Sequence, residues 1–125
     1  MHDNKLRLDG VYRTSSPIIL DSEYGETISL SLRFRRNCTV DYESRLNEEL
    51  DVEEKSGTTS FKVLGESMVR FSFDVGGWET EWEGDPCDEK LRLTFRIERY
   101  GGGPAAPLKC VVEGETTLLH TPDRE

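Results

Sequence analysis

Histidine, cysteine and long apolar runs are scarce in this sequence, and each shortage removes a class of function. The two histidines, His2 and His120, lie near opposite ends of a 125-residue chain. The three cysteines, Cys38, Cys87 and Cys110, are widely spaced, odd in number and form no Cys-x-x-Cys pair. A structural zinc site needs four such ligands in close clusters, so none is expected, and no cofactor motif stands out. No apolar run approaches the ~20 residues of a membrane-spanning helix. The opening Met-His-Asp-Asn-Lys is polar with no apolar segment behind it, so no signal peptide is expected. A cytoplasmic protein with reduced thiols is the simplest reading.

Positive charge is also in deficit. Acidic residues outnumber basic ones 25 to 16, giving a net charge of −9. That balance speaks against nucleic acid and anionic membranes, whose phosphates are bound by clustered lysine and arginine. It leaves room for a basic protein partner. Catalytic signals are missing too. No Gly-x-Ser-x-Gly occurs, and Gly101-Gly102-Gly103 is not followed by the Lys-Ser/Thr of a phosphate-cradling loop. Asp74 and Glu79 could sit close enough to share a proton, but they fall on the solvent side of a strand pair. Cys87, beside Pro86, has no base in view to activate it. The chain is expected not to be an enzyme.

What is present is alternation. Val69, Phe71, Phe73 and Val75 alternate with Met68, Arg70, Ser72 and Asp74, the period-two pattern of a half-buried strand. Gly76-Gly77 supplies the positive φ of a two-residue turn. Trp78, Thr80 and Trp82 then alternate with glutamates. This register pairs Val75 with Trp78, Phe73 with Thr80 and Phe71 with Trp82 on one face, and a slip of one residue would put both tryptophans in water.

The rest of the chain reads the same way. A first strand covers Lys5 to Thr14, with Leu6, Leu8 and Tyr12 as its apolar positions and Gly10 as a bulge or close approach. Ile18-Ile19-Leu20 is either a brief strand or a plug for one end of a barrel. Ile28, Leu30, Leu32 and Phe34 form a strand, and Val40 and Tyr42 return along the next one. A three-residue loop closed by a left-handed residue keeps these two on one face. Ser44 to Lys55 is the only stretch with helical character, with Leu46 and Leu50 at i and i+4; a short helix and a charged loop are both open. Phe61 and Val63 resume the alternation, and Gly65-Glu66-Ser67 as a turn pairs them with Phe71 and Val69. Gly84-Asp85-Pro86 reads as a turn by composition. Leu91, Leu93, Phe95 and Ile97 mark another strand. Gly101 to Pro107 is a connection, Leu108 to Val112 a strand, and Glu115 to His120 one more, with a frayed tail at 121–125.

Eight strands, or nine, joined mostly by short turns make residues 1–125 one all-β domain, an antiparallel up-and-down (meander) barrel whose closure removes exposed edges. The chain resembles the small lipocalin-like (calycin-type) β-barrel domains. Gly10-Val11-Tyr12 is similar to their Gly-x-aromatic opening. The order Asp9-Gly10-Val11-Tyr12, Leu32-Arg33-Phe34 with Thr39-Val40, Phe71-Ser72-Phe73, and Trp82-Glu83-Gly84 before Leu91-Arg92-Leu93 is similar to that of a small uncharacterised group within this class. Cys38 stands where that group has a turn glycine. The resemblance implies the fold and allows functions from ligand carriage to protein interaction.

Two functional expectations follow. A barrel of this size can hold a small apolar ligand in its interior or mouth, lined by Tyr12, Phe34, Tyr42, Phe61, Phe71, Phe73, Trp82 and Phe95. The same side chains could instead fill the barrel as its core, since such aromatics supply the volume that a void-free interior needs. In the alternative reading the barrel is packed, and an acidic face meets a basic protein. That face would be Glu48, Glu49, Asp51, Glu53 and Glu54, or the row Glu79, Glu81 and Glu83. Either fits a monomer or a weak dimer.

Overall fold

A computed structural model describes residues 6–21, 25–47, 51–75, 77–101 and 108–123. Ten strands form one antiparallel sheet: β1 (Val11–Thr14), β2 (Ile18–Asp21), β3 (Glu26–Phe34), β4 (Thr39–Asn47), β5 (Val52–Ser60), β6 (Lys62–Leu64), β7 (Met68–Val75), β8 (Trp78–Cys87), β9 (Lys90–Gly101) and β10 (Leu108–Thr121). Their order is β5-β4-β3-β1-β10-β9-β8-β7-β6, with β2 alongside β3. Only Phe61 separates β5 from β6, so the chain itself joins the two ends of the row and the sheet becomes a nearly closed barrel.

The central hairpin has the register its alternation dictates, with Val75 opposite Trp78, Phe73 opposite Thr80 and Phe71 opposite Trp82. Its inner residues are buried and its outer ones solvated. Asp74 faces Glu79 with both exposed, so water screens the like charges. Arg70 faces Glu83 at 3.7 Å. The β3–β4 pair sets Leu32 against Tyr42 and Phe34 against Val40. Its loop closes when the Arg35 N–H donates to the Thr39 carbonyl at 2.8 Å, which leaves three residues between them. The left-handed position falls on Cys38, with φ 63°. A residue with a Cβ costs about 1–2 kcal/mol there relative to glycine. Cys38→Gly is therefore expected to raise the unfolding free energy by about 1 kcal/mol, read as a higher urea midpoint at unchanged slope.

Several elements differ from the sequence expectation. Ser44 to Lys55 contains no helix among its described residues. Ser44–Asn47 belong to β4 and Val52–Lys55 to β5, with Leu50 outside the described residues. Leu46 is fully buried opposite Ile28, and one apolar anchor fits a strand better than a two-leucine stripe fits a helix. The first strand is shorter than Lys5–Thr14, because Gly10 at φ 86° breaks the ladder before Val11. Ile18–Asp21 is a strand, with Ile18 and Leu20 buried. Phe61 does not pair with Phe71. Its N–H donates to the Cys38 carbonyl at 2.9 Å, turning the chain from β4 to β7. Pro86 lies inside β8, opposite Leu91, beyond the last residue of β8 that β7 pairs, so its missing N–H breaks no ladder there. The turn comes after Cys87, at Asp88 with φ 58°. Residues 108–121 form one 14-residue strand rather than two.

β10 lies between β1 and β9, with Tyr12 opposite His120 and Leu118 opposite both Thr14 and Leu91. The buried apolar side chains of β1 to β4, Phe61 and β7 to β10 form one contiguous core. Trp82 is held by polar bonds as well as packing. Its indole donates to the Thr80 hydroxyl at 2.8 Å, and that hydroxyl donates to the Phe73 carbonyl at 2.6 Å.

Candidate functional site

The eight aromatic residues expected to line a ligand cavity are all buried, and ring contacts join them into one network. Phe34 is a hub, meeting Tyr12 at 5.8 Å, Phe61 at 5.1 Å and Phe71 at 5.9 Å. Trp82 is a second, meeting Phe71 at 6.3 Å, Phe73 at 5.9 Å and Phe95 at 5.7 Å. Tyr42 stacks on Phe73 at 4.2 Å. These separations are those of aromatic rings packed on one another. Of the eight, Phe34, Tyr42 and Phe61 also border grooves that open to solvent.

Phe34 and Phe61 share a cleft at one end of the barrel, beneath the segment Leu6–Asp9. That segment is bonded at several points. The Arg7 N–H donates to the Tyr12 hydroxyl at 2.8 Å. The Gly10 N–H donates to the Asp123 carboxylate at 3.1 Å, and Arg33 forks onto the same carboxylate at 2.8 and 3.0 Å. The His120 ring nitrogen donates to the Asp9 carbonyl while its ring lies 5.0 Å from that of Tyr12. Gly10 is required here, since a Cβ would lie 2.1 Å from the Thr121 carbonyl oxygen.

Two neighbouring pockets make up this end. One, of about 490 Å³, brings Arg7, Arg33, Arg35 and Arg36 together around Phe34, with Asp9 also at its border. The other, of about 290 Å³, is walled by Leu6, Leu8, Phe61, Val63 and Val69, with Glu66 at its border. Leu6, Leu8, Arg35 and Arg36 border both. Leu8 and Val63 are 41% and 52% exposed, so the apolar wall faces solvent. Arg35 pairs with Asp41 at 2.6 Å, while Arg36 has no acidic partner among the described residues. A wider groove of about 760 Å³ lies elsewhere, near Ser15, Ser29 and Ser31. Its cations Arg13, Arg45 and Lys55 are offset by Glu43 and Glu54, which leaves little net attraction for a charged ligand.

The fork from Arg33, and secondarily the Gly10 N–H, hold the Asp123 carboxyl below its ordinary range. Asp41 is likewise held down, first by the Thr58 hydroxyl and then by Arg35. A depressed carboxylate contributes stability that is complete above its unfolded value, about 3.9, and is lost as pH falls through the lower folded value. Asp123→Asn is therefore expected to flatten the decline of the melting temperature below about pH 4 while changing the slope near neutrality little. An unchanged acid limb would show that the fork does not outlast solvation.

Of the other sequence candidates, Glu79, Glu81 and Glu83 form a row on the outer face of β8, with Asp74 opposite Glu79. Cys87 is half-buried, with its sulfur 4.0 Å from the Asp88 carboxylate, and all three cysteines are free thiols. Glu48 and Glu49 lie outside the described residues; Asp51, Glu53, Glu54, Glu79 and Glu81 are exposed. Sequence reasoning missed Arg33, Arg35 and Arg36, although a run of three arginines around Phe34 is the densest basic signal in an acidic chain. Comparison of the chain with protein-family models, with curated proteins and with solved structures finds no match.

Proposed function

We propose that this chain is a non-enzymatic binding protein on a lipocalin-like barrel, and that it takes a small apolar ligand with an anionic group at the barrel end. The observation that supports this reading is the juxtaposition of an exposed apolar wall, Leu8 and Val63, with four arginines in a protein of net charge −9. Leu6, Phe61 and Val69 remove the tail of such a ligand from water, and Arg36 meets its charge without displacing an internal acid. Phe34 and Phe61 serve as the floor, and the remaining aromatics support them from within.

Decanoate is a suitable probe. Its binding should weaken about fifteen-fold on shortening to octanoate, since two buried methylenes contribute about 1.6 kcal/mol. Arg36→Glu should weaken decanoate but not decanol, and Val63→Glu should weaken both. The reading fails if calorimetry finds no heat of binding at millimolar decanoate, or if both variants bind like the parent.

A further inference from the structure

The barrel is closed by its chain but not by hydrogen bonds along its whole height. Among the described residues β5 bonds only to β4, and β6 bonds to β7 from Lys62 to Leu64. Continuing the β6–β7 register backwards would set Ser60 opposite Ser72 and Thr58 opposite Asp74, yet no such pairs form. Two strand edges thus face each other across a seam that opens from Phe61.

The main-chain groups in this seam follow from the register. The Thr39 carbonyl accepts the Arg35 N–H, so Thr39 turns toward β3 and its alternate neighbours Val40, Tyr42, Ser44 and Leu46 turn toward β5. Their partners Thr59, Gly57, Lys55 and Glu53 therefore direct their N–H and C=O groups at β4. Glu54, Ser56 and Thr58 direct theirs away from it, to the seam. From Val52 to Ser56 the strand is exposed on both faces. The charged side chains along its exposed stretch and across the seam are Glu53, Glu54 and Asp74 against Lys55, with Arg45 of β4 3.9 Å from Glu54.

We propose that the free edge of β5 is a strand-addition site for an extended polypeptide carrying lysine or arginine at alternate positions. Main-chain hydrogen bonds to Glu54, Ser56 and Thr58 supply the register, and the acidic side chains select the partner. A second copy of this chain fits less well. Antiparallel pairing of two β5 strands about Glu54 sets that glutamate against itself. This site is separate from the arginine cleft and does not depend on the ligand proposed for it.

The probe is the capped peptide Thr-Lys-Val-Lys-Val-Lys-Thr, added to the intact protein and followed by residue-resolved amide hydrogen exchange. Exchange at Glu54, Ser56 and Thr58 should slow by about tenfold or more, an effect that weakens as salt rises. The glutamate counterpart of the peptide should give no slowing. Ser56→Pro should abolish the effect without unfolding the barrel, because the N–H it removes points away from β4. Glu54→Lys, which leaves the backbone intact, should weaken it if the proline variant does not fold. Unprotected amides at about 1 mM peptide would overturn the proposal. So would protection of the same amides without peptide in a sedimenting dimer, which would assign the edge to a second copy.

Discussion

Phe71→Ala is expected to lower the unfolding free energy by ~3–5 kcal/mol, the usual effect of emptying a large aromatic site in a core. Phe71 is 3% exposed and touches the rings of Phe34, Phe73 and Trp82, the centre of the aromatic network. Its removal takes away the transfer free energy of the ring and leaves a void that three rigid neighbours cannot close by rotation. A domain of this size is stable by roughly 5–15 kcal/mol, so the variant should lose a large part of its margin. Chemical denaturation followed by the fluorescence of Trp78 and Trp82 reports the change. A loss below about 1 kcal/mol would mean that the rings surround space rather than fill it, and would return the interior to consideration as a ligand cavity.

The second large effect concerns a residue with no side chain. Gly84 is buried opposite Leu93, and a Cβ built on it would lie 1.8 Å from the Arg92 carbonyl oxygen and 2.9 Å from the Leu93 Cα. Both are main-chain atoms, so no side-chain rotation relieves the overlap and β9 itself must move. Gly84→Ala is expected to cost about 3 kcal/mol, at the upper end for overpacking. Gly65→Ala is the informative comparison. Its Cβ meets nothing within 4 Å, and only the positive φ of 64° opposes it, so the cost should be about 1 kcal/mol. Equal losses in the two variants would show that the close approach of β8 to β9 relaxes at a cost of only about 1 kcal/mol, below what main-chain overlap implies.

Legibility in the sequence followed the locality of the signal. The Met68–Gly84 hairpin, the Ile28–Tyr42 pair and the Leu91–Ile97 strand were readable because one face of each is apolar, and that face fixes the register within a few residues. The eight aromatics could be grouped for the same reason. β5 was not readable, because a strand solvated on both faces has no period, and its charges imitate the first turns of a helix. The path through Pro86 was hidden because edge geometry, not composition, decides whether a missing N–H matters. The arginine cleft was out of reach on different grounds. It joins residues 6–9 to residues 33–36 and 61–69 through Gly10 and Asp123, contacts of long sequence separation that no local pattern carries. Cys38 marks the intermediate case. The loop length could be read, but the left-handed position fell on cysteine rather than on the more tolerant Asn37.

The place of β10 between β1 and β9 sets an order on how the molecule forms during synthesis. Tyr12 meets His120, and Val11 meets Thr121, across almost the whole chain. The β7–β8 and β8–β9 hairpins can form as soon as they leave the ribosome, and β1 can pair with β3 through Tyr12 and Leu32, but the other edge of β1 must wait until residues 118–121 have emerged. Closing so long a loop carries a large entropic cost before its contacts repay it, which makes the pairing of β10 with β1 a slow, late step. Through that interval the second edge of β1 is uncovered, an unpaired strand edge of the kind that exposes a chain to aggregation.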